Sequence, residues 1–366
     1  MHARCARAAG GLVIASLTAL QTILTPVNPS AARAAAGMME YTLVATVPLP
    51  GKAGHGDWVT YDPEMNSVYI ALHESGVAVI DADANTVVAD IEPVPAPNGI
   101  AYDSGYLYVA AGATNELVVI SKGDWKIVGR VRTKGAAPDG VWVPSIGTVA
   151  VSCDQNNWVE VYSSGESPRL LATVPLYPSS PEIGPDVGLY VASKGILYMP
   201  VDSRVEAVDL ETGKVRAWVD THIPLTKLGG TKNLTYDPAR DLLWVGTTAN
   251  KVLILGADAL ALRGSVPAHG GIDEVSFDPA LRLVYAFESS AQGFDVFNAD
   301  TRLPVAYINT GSGNTHTGDV NTRTHNVYVY EGDANVVAVY APGHVREMPA
   351  GVRSVRKTHS GGEVIL

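Results

Sequence analysis

The fold is decided by residues 99–131, GIAYDSGYLYVAAGATNELVVISKGDWKIVGRV. Apolar runs at 99–102, 106–110, 117–120 and 125–131 alternate with polar turns at 103–105 and 122–124. Short runs rich in β-branched and aromatic residues, separated by Asp, Ser and Gly, predict strands joined by hairpin turns. Four such strands in succession are typical of one blade of a β-propeller.

The same pattern recurs along the chain. Its clearest marker is an apolar residue followed by an aromatic one at the end of a hydrophobic run. The copies are Val68-Tyr69, Leu107-Tyr108, the degenerate Val149-Ala150, Leu197-Tyr198, Leu243-Trp244, Val284-Tyr285 and Val327-Tyr328. Their spacings are 39, 42, 48, 46, 41 and 43 residues. Seven copies at this period predict an all-β, seven-bladed β-propeller over residues 37–341.

The last repeat lacks an outer strand, and the missing strand is found at the other end of the chain. Residues 41–49 closely resemble the outer strand at 170–176. We therefore expect the N-terminal strand to complete the last blade and close the ring, which removes two open sheet edges. Residues 342–366 are expected to form a mobile C-terminal extension.

Residues 1–36 have the features of a signal peptide. Arg4 and Arg7 precede an interrupted apolar stretch at 11–24, and residues 32–34 (Ala-Arg-Ala) offer a small-x-small cleavage site. We expect a periplasmic or secreted protein with no membrane span after cleavage.

Cleavage would make the chain more acidic and so limits its partners. The net charge changes from −11 to −14 because three arginines and no acids are removed. An acidic body argues against nucleic acid as a partner and is compatible with cations. We expect a monomer whose partner is a small molecule or a protein at one face of the ring.

The chain resembles the YVTN-repeat, YncE-like family of exported seven-bladed propellers. The resemblance covers residues 41–341 and is carried by Pro138-Asp139-Gly140, Tyr108-Val109-Ala110 and residues 209–215, DLETGKV. It implies the propeller fold and export. The functions within that family are varied, so the resemblance implies no particular activity.

Polar residues occupy one equivalent position in every repeat, four residues before the end of the innermost strand. They are Asp57, Asn98, Asp139, Asp186, Lys232, Asp273 and His316. Equivalent positions of a propeller form a circle, so this set predicts a polar ring at the channel mouth, with Asn98, Asp139, Asp186 and Lys232 as ligand-binding residues. The alternative is that Asp and Asn merely open turns here.

Three histidines lie in loops that lead into the innermost strands of neighbouring blades. These are His55 in the first blade, His269 in the sixth and His316 in the seventh. Imidazoles that converge from adjacent strands suit a divalent transition metal, here Cu, Fe, Zn or Mn. Glu74, Glu288 and Glu331 follow the second strands of the same blades and are candidates to orient the rings. Calcium in the acidic ring and three solvent-exposed histidines are the alternatives.

Two functions remain open at this point. The first is an exported propeller that binds a metal ion or small ligand at the loop face of its channel. The second is a metal-dependent enzyme, oxidative or lactonase-like, in which Asp57 or Asp273 acts as base or extra ligand. The chain has no glycine-rich phosphate loop, nucleophile elbow or Cys-x-x-Cys-His motif to favour another chemistry.

Overall fold

The computed structural model describes residues 38–346 except 146, 179–183 and 314. The predicted signal peptide at 1–36 and residues 347–366 of the predicted extension lie outside these ranges. The regular structure of the described residues is entirely β, with 28 strands in seven four-stranded antiparallel sheets.

Each sheet has an innermost, a second, a third and an outer strand. The innermost strands are β2 (Gly56–Asp62), β6 (Pro97–Tyr102), β10 (Pro138–Ser145), β14 (Leu189–Val191), β18 (Thr231–Asp237), β22 (Ile272–Asp278) and β26 (Gly318–Val320). The second strands are β3 (Ser67–Leu72), β7 (Tyr106–Ala111), β11 (Thr148–Cys153), β15 (Ile196–Val201), β19 (Leu242–Thr247), β23 (Leu283–Glu288) and β27 (Val327–Glu331). The third strands are β4 (Gly76–Asp81), β8 (Glu116–Ser121), β12 (Asn156–Ser163), β16 (Arg204–Asp209), β20 (Lys251–Gly256), β24 (Gly293–Asn298) and β28 (Val336–Arg346). The outer strands are β5 (Thr86–Ile91), β9 (Ile127–Arg132), β13 (Leu170–Pro175), β17 (Lys214–Asp220), β21 (Leu262–Pro267), β25 (Leu303–Asn309) and β1 (Met38–Pro48).

The seven sheets form a closed ring, as the repeat predicts. The innermost strand of each blade contacts the innermost strands of both neighbouring blades, and β26 of the last blade contacts β2 of the first. Seven separate hydrophobic clusters fill the spaces between adjacent blades. The seven-bladed β-propeller is therefore confirmed.

The ring closes through the two ends of the described chain. Strand β1 pairs antiparallel with β28, from Met38 opposite Arg346 to Pro48 opposite Val336. Val47 of β1 is 1% exposed and packs in the cluster shared by the first and last blades. The predicted closure is confirmed. Strand β28 continues to Arg346, five residues beyond the predicted end of the propeller at 341.

The repeated aromatic marker has a structural role. Its rings on the second strands are almost fully buried, and the hydroxyl groups of its five tyrosines form hydrogen bonds. The Tyr69 hydroxyl, for example, donates to Asp62 at 2.7 Å, and Asp62 also accepts from the backbone N–H of Glu64. Tyr108 contacts the turn of its own blade in the same way, whereas the hydroxyl groups of Tyr198, Tyr285 and Tyr328 contact the neighbouring blade.

Ion pairs link neighbouring blades at the face opposite the candidate site. Lys122 of the second blade lies 2.6 Å from Asp62 of the first, and the two side chains are only 2% and 0% exposed. In the same way Arg282 of the sixth blade pairs with Asp237 of the fifth. His325 of the seventh blade lies 2.6 Å from Asp278 of the sixth. These pairs help to fix the angle between blades.

Among the described residues, no helix has the length and apolar character needed to cross a membrane.

Candidate functional site

The central channel is divided into two chambers. The upper chamber, with a volume of about 300 Å³, opens at the face that bears the loops leading into the innermost strands. The lower chamber, of about 520 Å³, is lined by the innermost strands themselves. Trp58, Asn233 and Glu274 line both chambers and form the partition between them.

Six of the seven sequence-predicted ring residues line the upper chamber: Asp57, Asn98, Asp139, Asp186, Lys232 and Asp273. Five of them lie where the pairing between the innermost and second strands shifts register, namely Asp57, Asn98, Asp139, Lys232 and Asp273. A β-bulge leaves a residue out of the ladder and redirects its side chain. The ring is therefore built by a repeated bulge rather than by the turn that the alternative interpretation proposed.

Lys232 is the positive centre of the upper chamber. Its ammonium pairs with Asp186 and lies 2.8 Å from Asp273. Burial by itself would lower the pKa of Lys232, but the two carboxylates outweigh burial and raise that pKa well above its usual range. Burial would also raise the pKa of Asp273, but Lys232 outweighs it and holds that pKa below its usual value. The carboxylates of Asp186 and Asp273 thus keep the ammonium group of Lys232 charged.

At two other acids of the upper chamber, Asp139 and Asp154, burial outweighs the attraction of Lys232. Burial raises the pKa of Asp154 to about 8, and the carboxylates of Asp186 and Asp57 add to the rise. Burial and the neighbouring Asp154 also raise the pKa of Asp139 well above its usual range. One oxygen of Asp154, Oδ1, is buried without a hydrogen-bond partner. This part of the chamber holds protons that a bound cation would displace.

A cluster of imidazole rings lies at the rim, between the first and last blades. The rings of His55 and His316 are stacked, with centroids 4.6 Å apart and planes inclined by 17°. The His73 ring centroid is also 4.6 Å from that of His55. Asp57 lies among them, with Oδ1 3.0 Å from His55 Nε2 and 4.0 Å from His73 Nε2. Ligand atoms of His55, Asp57 and His316 all lie within 4.8 Å of one another.

His316 is the most buried member of this cluster. The residue is 3% exposed, and its Nε2 atom has no hydrogen-bond partner. Burial lowers the pKa of His316, so the ring stays neutral. A neutral buried imidazole with an unpartnered nitrogen is a group that gains from a metal ion or a hydrogen-bond donor.

The loops that carry the cluster are fixed by contacts between the first and last blades. The Tyr330 hydroxyl donates to the Gly54 carbonyl at 3.1 Å, and the His73 amide donates to the His55 carbonyl at 3.0 Å. Gly56 lies so close to the Tyr330 ring that a Cβ atom would be 2.5 Å from it. This close contact with Tyr330 requires a glycine at position 56. The contacts around the loops hold the imidazoles in place.

His269 belongs to a different cluster, which corrects the predicted grouping of three histidines. Its Nδ1 atom lies 2.8 Å from Asp295 Oδ1, and its ring stacks on Tyr307 with centroids 3.9 Å apart. Glu288 accepts from the His269 backbone N–H at 3.0 Å, and burial raises the pKa of Glu288 to about 9. His269, Glu288 and Asp295 form a second set of potential ligands, separate from that of His55 and His316. The three histidines stand at different distances in sequence from the ends of their innermost strands, which accounts for their separation into two clusters.

The other predicted orienting glutamates are placed elsewhere. Glu74 is exposed and lies beside Gly54, while Glu331 accepts a hydrogen bond from Tyr340 at 3.3 Å. The residue that joins the imidazoles is instead His73, whose Nε2 lies 2.8 Å from Asn98 Oδ1. His73 directly precedes Glu74 in the loop after β3, so the sequence indicates the right loop but the wrong residue.

The acidic part of the upper chamber predicts a pH dependence of stability. With a folded pKa of about 8 and an unfolded value of about 3.9, Asp154 retains its proton in the folded protein and loses it in the unfolded chain. Between these values the stability therefore falls as pH rises, by up to about 1.4 kcal/mol per pH unit. Asp154→Asn should flatten this decline, measured as urea midpoints at pH 5 and pH 8. Asp90→Asn, at an exposed position of β5, is the matched control and should leave the decline unchanged; an equal decline in the Asp154→Asn variant would contradict the prediction.

Comparison with known proteins identifies the fold and no family. No protein-family profile matches the chain, and no curated protein is similar enough in sequence to match it. The structure is similar to the β-propeller domain of Cps50 (Swd1) from Myceliophteria thermophila, with a TM-score of 0.69 and 12% identity over 82% of this chain and 99% of that one. It is also similar to a chain of the Mitotic Checkpoint Complex, with a TM-score of 0.71 and 12% identity over 90% of this chain and 98% of that one. The chain is thus a seven-bladed β-propeller, and at this identity the likeness concerns the fold alone.

Proposed function

We propose that this protein is an exported β-propeller that binds a divalent transition metal ion at the mouth of its channel, through His55, Asp57 and His316. The observation that carries the proposal is the unpartnered Nε2 atom of His316, which is almost fully buried and stacked against His55. Two imidazoles and a carboxylate are a common donor set for Zn²⁺, Cu²⁺, Fe²⁺ or Mn²⁺.

The distances require only small side-chain movements. Ligand atoms bound at about 2.0–2.1 Å from a metal are at most about 4.2 Å apart. His55 Nε2 and Asp57 Oδ1 already satisfy this limit at 3.0 Å, and the full set lies within 4.8 Å. His73, which contacts both the His55 ring and Asn98, is placed to support the site or to become a fourth ligand.

The surrounding charge also supports cation binding. Asp57, Asp139, Asp154, Asp186 and Asp273 line the adjoining chamber, and Lys232 pairs with two of them. Asp57 places a carboxylate beside the imidazoles, and Asp139 and Asp154, whose pKa values are raised, can release their protons when a cation binds. Asn98, Asp139 and Asp186 are proposed to hold water or a small ligand next to the metal.

Titration of the untagged protein with Zn²⁺ and Cu²⁺ by isothermal calorimetry tests the proposal. We expect one equivalent to bind, and His316→Ala to weaken binding about 100-fold because a preformed ligand is lost. His222→Ala is the matched control, since its side chain is 86% exposed in the loop before β18.

His269→Ala provides a second control that separates the two histidine clusters. The His269→Ala variant should bind Zn²⁺ and Cu²⁺ with the affinity of the native protein if His55, Asp57 and His316 form the site. Failure of the native protein to bind either metal would refute the proposal, as would equal binding by the His316→Ala and His222→Ala variants.

A further inference from the structure

The lower chamber has a chemistry unlike that of the metal site. Its wall carries Tyr102, Trp142, Tyr190 and Phe277, and its volume of about 520 Å³ is in the range of pockets for small organic molecules. The lining residues include no Lys, Arg or His. The aromatic surface and the carboxyl groups of Glu274 and Asp319 in the lining disfavour an anionic ligand.

The partition above this chamber carries two buried polar atoms without partners: Trp58 Nε1 and Glu274 Oε1. Trp58 packs against hydrophobic clusters on two sides of the channel, one between the first and second blades and one between the third and fourth. Trp142 offers a contrast, because its Nε1 donates to the Gly188 carbonyl at 3.0 Å. The Trp58 N–H is thus held at the partition with its hydrogen-bonding capacity unused.

Glu274 carries the second unpartnered atom. The residue is 6% exposed, and its Oε2 atom accepts from the Thr317 hydroxyl at 2.6 Å and from the Gly318 amide at 3.2 Å. Oε2 is therefore satisfied within the protein, whereas Oε1 has no hydrogen-bond partner.

Both carboxyl oxygens of Asp319, the other acidic residue of the lower chamber, already accept hydrogen bonds. Asp319 accepts from the Ser276 hydroxyl, and from the Tyr61 amide at 2.8 Å. Among the described residues of the partition, Trp58 Nε1 is thus a donor without an acceptor. It requires an acceptor on the ligand, and leaving it unpaired is costly.

We propose that the lower chamber binds a small, uncharged aromatic carbonyl compound, with its ring among Tyr102, Trp142, Tyr190 and Phe277 and its carbonyl oxygen toward Trp58 Nε1. This site is separate from the metal site at the rim, and the partition lies between them.

The uncharged naphthyl ketone prodan, whose emission depends on its surroundings, is a suitable probe. We expect the full-length protein to bind one equivalent with a blue-shifted emission. Trp58→Phe keeps the ring but removes the N–H, and should weaken binding about tenfold. The same variant should bind 2-dimethylaminonaphthalene, which lacks the carbonyl group, as well as the native protein does.

Three further variants make the test decisive. Thr235→Trp fills the chamber and should abolish prodan binding, whereas Trp218→Phe, at a residue that is 54% exposed, should have no effect. His316→Ala should also leave prodan binding unchanged, so the outcome is independent of the metal proposal. Urea midpoints confirm that each variant is folded. Absence of blue-shifted binding, unchanged prodan affinity in Trp58→Phe, or unchanged binding in a folded Thr235→Trp variant would each overturn the proposal.

Discussion

Val47→Asp is expected to lower the free energy of unfolding by about 4 kcal/mol or more, because it places an unpaired charge in a closed apolar cluster. Val47 is 1% exposed and packs between the first and last blades with Val59, Val68 and Val337. The substitution also weakens the strand that completes the last sheet. We expect a large fall in the urea midpoint and a larger hydrodynamic radius, since the ring opens at this blade.

Val44→Asp is the matched control for this experiment. It makes the same substitution in the same strand, but at a side chain that is 51% exposed. Its urea midpoint and elution volume should stay close to those of the native protein. If the two variants were equally stable, the N-terminal strand would not be what closes the ring.

Lys122→Met should be the second most damaging change, with a loss of about 3–5 kcal/mol. The ammonium of Lys122 lies 2.6 Å from Asp62 and also donates to the Asp103 carbonyl at 2.8 Å. Methionine keeps much of the side-chain volume but leaves the Asp62 carboxylate buried without a counter-charge. The loss is measured from urea unfolding curves followed by circular dichroism.

Lys126→Met controls for the loss of a lysine in the same blade. Lys126 is 75% exposed and lies 2.8 Å from Asp124 at the surface. Exposed pairs contribute little, so no measurable shift of the midpoint is expected. Adding Asp62→Asn to Lys122→Met should recover most of the lost stability, because it removes the uncompensated charge and keeps the turn acceptor. Failure of the double variant to recover stability would show that the charge is not the cause.

The sequence could predict the ring of blades and the circle of polar residues because both follow from periodicity. Six of the seven repeats mark the second strand with a buried ring such as Tyr69 or Tyr108, so equivalent positions can be aligned by counting. Closure by residues 41–49 was also predictable, because an unpaired strand at one end of the chain matched a missing strand at the other.

Counting residues could not show in the same way which histidines lie together in one cluster. Within a loop, the direction of a side chain depends on local backbone geometry, and His269 turns toward Asp295 while His73 turns toward His55. The register shifts that aim Asp57 and Asp273 into the channel are likewise β-bulges, which apolar–polar alternation does not reveal. Proximity in three dimensions therefore had to come from the structure.

The closure of the ring also constrains the order in which the protein can assemble. Six sheets are each built from one continuous segment of chain, such as β2 to β5, and involve only local contacts. The seventh joins β1, the first strand of the propeller to be synthesised, to β28, the last, so that Val47 pairs with a residue 290 positions away. Pairing over such a separation has a high contact order and forms slowly. Local sheets can therefore form as soon as their own segment is made, but β1 has no partner until β28 has been synthesised, so the ring is completed last.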